Sequence, residues 1–169
     1  MVRNVHERRL PVPAATAGAL LDTLAGPDDR LWPRRQWPAM RFDRPLGVGA
    51  TGGHGPVRYV VTEYVPGQRV RFRFLGPPGF DGYHEYEVLA EGEGACRLRH
   101  SLVMTTHWPA WLTWPLFFRP LHDALIEDSF DTATRHLGLP LPAPRRWSAR
   151  VRLLRALAGA ARSPARRPA

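Results

Sequence analysis

The sequence predicts an α+β domain: an antiparallel sheet with one long C-terminal helix across its apolar face. Two observations carry this. Residues from Phe42 to His107 are patterned with period two, and Phe117 to Leu137 is amphipathic at the helical period. A third, the order of segments, places a first strand and two short helices ahead of the run of strands.

Taken in order, "VRNVHERRLPV" reads as a strand in which Val5, Glu7 and Arg9 alternate with polar or aliphatic neighbours. "PAATAGALLDTLAG" is a short helix with Leu20, Leu21 and Leu24 apolar, stopped by Gly26–Pro27. In "PDDRLWPRRQWP", Asp28 is a candidate N-cap for one or two turns that Pro33 ends. "GVGATGGHGP" holds five Gly and is either a strand in close backbone contact or a loop; with no lysine after it, it is not a phosphate loop. "PVRYVVTEYVPGQRVRFRFLG" is a hairpin about Pro66–Gly67, with Val70, Phe72 and Phe74 on one face and Arg71 and Arg73 on the other. A second hairpin turns at Glu91–Gly94. There His84, Tyr86 and Val88 share a face with Cys96, Leu98, His100, Leu102 and Met104 of the returning arm, and Glu85 and Glu87 are expected across from Arg97 and Arg99 on a wet outer face. Glu63 is in phase with Tyr59 and Val61, so it points inward or reaches solvent at the rim.

"WPAWLTWPLFFRPL" reads as a connection, with the long helix starting after Pro115 or Pro120 and stopping at Leu137–Gly138. On that helix Phe118, Leu125, Ile126, Ala133 and Leu137 fall on one side and Asp123, Glu127, Asp128 and Asp131 on the other. His122 and Ser129 sit near the middle of the apolar side, with Arg119 at its edge. An imidazole and a hydroxyl there mean either a solid core that satisfies them or a hollow one into which they point.

Composition narrows the chemistry. A chain of 169 residues with 44% hydrophobic content suits one domain, residues 1–139, and a tail, residues 140–169. All 24 basic residues are Arg, which excludes a lysine Schiff base. The single Cys96 excludes an internal disulfide and a cysteine-rich metal site. Of the net +9, the tail contributes +8 and the body only +1, so nucleic-acid binding through the folded domain is not expected. No stretch suits a signal peptide or a spanning helix, and a cytoplasmic location is expected. Residues 143–169 are either a basic amphipathic helix over Trp147–Arg162, suited to a membrane surface or a protein partner, or a disordered Arg/Ala/Pro tail.

The order of elements, "VHERRLPVPAATAGALLDTL", "VRYVVTEYVPGQRVRFRF" and the closing helix together resemble the SRPBCC superfamily, the START-like helix-grip proteins that include polyketide cyclase/dehydrase-like chains. The resemblance covers about residues 2–138. It implies a helix-grip fold: a curved antiparallel sheet wrapped around the C-terminal helix, with a cavity between them for an apolar or aromatic ligand. It carries no catalytic motif, because members transfer lipids, bind hormones, cyclise polyketides or serve oxygenases.

In that layout the candidate ligand-binding residues are Tyr59, Phe72, Phe74, His84, Tyr86, Leu98, His100, Leu102, Phe118, His122, Leu125 and Ser129, with Arg119 nearby. The expected function is binding of a hydrophobic or aromatic small molecule. One alternative is a cyclase/dehydratase-like enzyme with His122 or His84 as base; another is a membrane- or protein-interaction module working through the tail and "WPAWLTWP". No cofactor is expected. Nor is a metal, since the three inward histidines lie on separate elements and Asp123 and Glu127 are read as pointing away from them.

Overall fold

The computed structural model describes residues 1–141 and 146–160. Seven strands form one antiparallel, curved sheet in the order β1-β7-β6-β5-β4-β3-β2. They are β1 (Val2–Leu10), β2 (Arg41–Phe42), β3 (Thr51–His54), β4 (Val57–Val65), β5 (Arg69–Gly76), β6 (Phe80–Ala90) and β7 (Cys96–Thr106). The helices are α1 (Ala14–Leu21), α2 (Ala110–Thr113), α3 (Arg119–His136) and α4 (Ala149–Ala160). A π-helical turn, Trp114–Phe118, joins α2 to α3. This is the helix-grip arrangement that the sequence predicts.

Both hairpins form where the turn residues place them. Val70, Phe72 and Phe74 of β5, Tyr86 and Val88 of β6, and Leu98 and Leu102 of β7 are buried on the helix side. The outer face is a lattice of charges whose pairing differs from expectation. Glu87 does lie across from Arg99, but Glu85 lies across from Ser101 and pairs with Arg71 at 2.8 Å. Arg97 instead meets Glu7 of β1 at 2.8 Å, because β1 enters the sheet beside β7 and sets Glu7 between Arg97 and Arg99. A bulge between Val61 and Glu63 puts Glu63 in register with Arg71, on this outer face, where it pairs with Arg69 and Arg71. The Gly-rich segment is a strand in close contact: a Cβ on Gly52 would lie 1.9 Å from the Arg41 carbonyl oxygen.

Between α1 and β2 the second short helix gives way to turns organised by Asp29 instead of Asp28. The buried Asp29 carboxylate accepts N–H groups from Ala25 (2.8 Å), Leu31 (3.0 Å) and Trp32 (2.8 Å), which folds the chain back and seats Leu31 and Trp32 in the core. Burial raises the Asp29 pKa, against the pull of these three donors.

The long helix also starts earlier than its prolines suggest. Helical backbone runs from Ala110 through Pro115 and Pro120. The wider turn lets Arg119 N–H reach back to the Trp114 carbonyl, and Pro120, lacking an N–H, removes one donor for the carbonyls of that turn. Arg150 of α4 donates to two of them, Pro115 (3.1 Å) and Leu116 (2.9 Å). No helix of the described residues is long and apolar enough to cross a membrane.

Two outcomes are expected. Asp29→Ala strands three backbone donors and should lower stability by about 2–4 kcal/mol in urea denaturation. His84, stacked on Phe72 and Phe74, is kept neutral by burial, its pKa well below 6.5. The unfolded chain therefore takes up a proton, near about pH 6.5, that the folded one refuses. Stability falls as pH drops below that value, with a limiting slope of about 1.4 kcal/mol per pH unit from this group. In His84→Phe this acid limb should be shallower in pH-dependent melting.

Candidate functional site

Helix α3 lies on the sheet with partners along both flanks. On one flank Asn4, His6 and Arg8 of β1, spaced by two, meet Asp123, Glu127 and Asp131, spaced by four. Asn4 Nδ2 donates to Asp123 Oδ1 (2.8 Å), and His6 bridges Glu127 (Nδ1, 3.0 Å) and Asp123 (Nε2, 3.2 Å). Arg8 donates to Glu127 (3.1 Å) and Asp131 (2.5 Å). On the other flank Asp128 Oδ2 accepts the indole N–H of Trp37 (2.7 Å) and of Trp147 (2.9 Å). The helix acids thus face bound partners and not open solvent, as the helical wheel alone suggests.

Between α3 and the sheet lies a cavity of about 650 Å³. Of the twelve predicted ligand-binding residues, Phe74, His84, His100, Leu102, Phe118, His122 and Leu125 border it. Tyr59, Phe72, Tyr86, Leu98 and Ser129 do not; they form the solid core beside it. Ser129 is satisfied there, accepting from the Tyr86 hydroxyl (3.0 Å) and donating to the Leu31 carbonyl (3.0 Å). Tyr59, whose pKa burial raises, meets His54 Nδ1 at 3.1 Å. Arg119 points to solvent near Asp123, 60% exposed, and takes no part. So the two polar residues on the apolar side of α3 part company: the hydroxyl is core, and the imidazole is cavity wall.

The histidines form a file. His84 Nδ1 and His100 Nε2 are 3.3 Å apart, the rings of His100 and His122 stand 5.0 Å apart, and those of His122 and His6 stand 6.0 Å apart. Burial depresses the pKa of His84, His100 and His122, so all three are neutral. His6 goes the other way: burial opposes its charge, but Asp123 and Glu127 outweigh it and raise the pKa to about 9. Asp123 is held well below the usual carboxylate range; burial opposes this, and the nearby His122 imidazole and the hydrogen bonds from His6 and Asn4 prevail. His84 Nε2, His100 Nδ1 and both nitrogens of His122 are buried without a hydrogen-bond partner. Buried polar atoms are seldom left so.

Sequence reasoning missed part of the wall. Trp32 and Trp37 come from the segment read as one or two helical turns ended by Pro33, His54 comes from the Gly-rich segment read as strand or loop, and Arg155 and Ala158 come from α4. Trp147, Val151 and Leu154 turn toward the domain, while Leu153 and Leu157 are exposed. The Arg155 guanidinium lies over Trp147 (3.7 Å) and Trp37 (4.4 Å) and donates to the Gln36 carbonyl. Residues 142–145 and 161–169, part of the segment read as tail, lie outside the described residues. The signal for His6 was present in the sequence: Asn4, His6 and Arg8 alternate at period two opposite acids repeating every four residues on α3.

These features define a helix-grip domain with a histidine-lined interior, and solved structures share the fold. A protein from Thermobifida fusca, solved in solution, aligns with a TM-score of 0.64 at 16% identity, over 86% of this chain and 100% of that one. Truncated norcoclaurine synthase from Thalictrum flavum aligns at 0.59 and 15%, over 82% and 96%. CalU16 from Micromonospora echinospora aligns at 0.54 and 16%, over 94% and 84%. No family model and no curated protein matches the sequence. The likenesses support a fold of the SRPBCC type.

Asp128→Ala should release α4, because both indole anchors end on one carboxylate oxygen. Amide exchange over residues 149–158 is expected to rise by at least about tenfold, with a red shift of tryptophan emission, while β4–β7 keep their protection.

Proposed function

We propose that this chain, as a member of the SRPBCC superfamily, holds an apolar or aromatic small molecule between the sheet and α3. The observation that carries the reading is the mismatch inside the cavity. Its walls are mostly apolar side chains, yet four buried imidazole nitrogens of His84, His100 and His122 make no hydrogen bond within the protein. A ligand with a carbon skeleton and one or two oxygen functions toward these histidines supplies both kinds of contact. The volume of about 650 Å³ suits a molecule of several fused or linked rings. Among proteins of this fold, norcoclaurine synthase has been solved with a transition-state analogue, which supports an interior that takes up small molecules.

The His84–His100 pair favours a second reading, a cyclase/dehydratase-like enzyme. In a neutral pair one nitrogen donates and one accepts across the 3.3 Å contact, so the outer two nitrogens are one donor and one acceptor. Such a pair can take a proton from a carbon next to a carbonyl and deliver another to its oxygen. Exposed Trp108, Trp111, Leu116 and Phe117, with Leu153 and Leu157 of α4, support a surface contact through which an apolar ligand arrives.

Native mass spectrometry of the gently purified protein, followed by denaturation, is expected to release a defined small molecule. An environment-sensitive apolar fluorophore should bind the emptied protein, and Leu125→Trp, which fills the cavity, should weaken it at least about tenfold with an unchanged melting profile. Absence of both a released compound and fluorophore binding would overturn the reading. Turnover of a keto-aromatic substrate that disappears in His84→Phe would favour the enzyme over a pure binder.

A further inference from the structure

We propose that His6, His122 and Asp123 form a binding site for a divalent transition-metal ion of the zinc or ferrous class, set in the wall of the cavity. One nitrogen from each imidazole and one carboxylate oxygen lie within 4.8 Å of one another. His6 Nε2 is 3.2 Å and His122 Nδ1 3.5 Å from the same Asp123 oxygen, Oδ1. Ligand atoms bound about 2.0–2.1 Å from a tetrahedral ion stand about 3.3 Å apart, so the two separations to Asp123 Oδ1 already match, and the two imidazole nitrogens, within 4.8 Å of each other, close on an ion by side-chain rotation.

The surroundings have the form of a metal site. His6 Nδ1 is held at 3.0 Å by Glu127, which Arg8 holds in turn at 3.1 Å. This carboxylate–imidazole pairing fixes the tautomer that leaves Nε2 free for an ion, which displaces the proton shared with Asp123. Asn4 donates to Asp123 at 2.8 Å and fixes the carboxylate. His122 is a separate witness: neither of its buried nitrogens has a hydrogen-bond partner. Two imidazoles and one carboxylate select zinc, iron or cobalt over magnesium or calcium, which prefer oxygen. Three protein ligands leave a position for water or a ligand oxygen, and His122 borders the cavity where a ligand would sit. The spacing of His84, His100 and His122 speaks against a metal among those three alone; here β1 supplies the second imidazole, His6, and Asp123 lies beside it.

The full chain, freed of metal by chelation, is titrated with Zn²⁺ by calorimetry and with Co²⁺ by visible absorption. No organic ligand is involved, so the outcome is independent of the small-molecule reading. One equivalent is expected to bind, with Co²⁺ bands of low coordination number, and His122→Gln and His6→Gln should each weaken binding at least about tenfold. Glu127→Gln should weaken it about tenfold while leaving the Co²⁺ bands in place. His122, unlike His6, makes no hydrogen bond, so His122→Gln disturbs the fold less and decides the matter should His6→Gln fail to fold. Absence of binding by the wild type, or binding unchanged in His122→Gln, would overturn the site and place any ion on exposed His107 or His136.

Discussion

The contact between β1 and α3 is the constraint on which the other features rest. A helix laid over a curved sheet must be held off its concave centre, or it collapses into it and fills the space. Here the holding is done at the flanks. Asn4, His6 and Arg8 engage Asp123, Glu127 and Asp131 on one side, and Asp128 is bound by two indoles on the other. These interactions are directional and half-buried, so they fix height and rotation in a way that apolar packing alone does not. With α3 suspended, Leu125 and His122 face a space that nothing from the sheet fills.

That geometry gives the histidines their character. An imidazole within a packed, hydrogen-bonded core is satisfied, as Ser129 is by Tyr86 and Leu31. Buried beside a mostly apolar cavity wall with ring nitrogens left without a hydrogen bond, it loses solvation that is not fully replaced, and its protonated form becomes costly. His84, His100 and His122 are neutral for that reason, and His6, one step beyond them and between two carboxylates, is not. The file therefore crosses from an apolar cavity wall to a polar, charged edge within four residues.

Much of the fold was legible because it rests on local patterns. Period two with Pro66–Gly67 and Glu91–Gly94 turns gave both hairpins, and the apolar arc of 117–137 gave the covering helix. What stayed hidden depended on contacts between distant segments. Helical phase put Asp123 and Glu127 opposite the apolar side correctly, but phase cannot say that a strand edge waits there. Pro115 and Pro120 read as breaks because part of their compensation, Arg150 on the carbonyls of the widened turn, comes from 35 and 34 residues downstream. Seven of the twelve residues expected to face a ligand border the cavity and five lie in solid core, since alternation identifies the inner face of a strand but not where along it the packing ends.

The docking of α4 has a further consequence for what counts as the domain. Composition separates a neutral body from a basic appendage at about residue 139, and a shortened chain would naturally be cut there. Yet Arg155 and Ala158 border the cavity, and Trp147 shares the acid that anchors Trp37. A protein trimmed at that boundary would keep its sheet and helix but present a trough open on one side, with the Asp128 carboxylate short of a donor. Its affinity for any small molecule would then describe a vessel missing part of its wall.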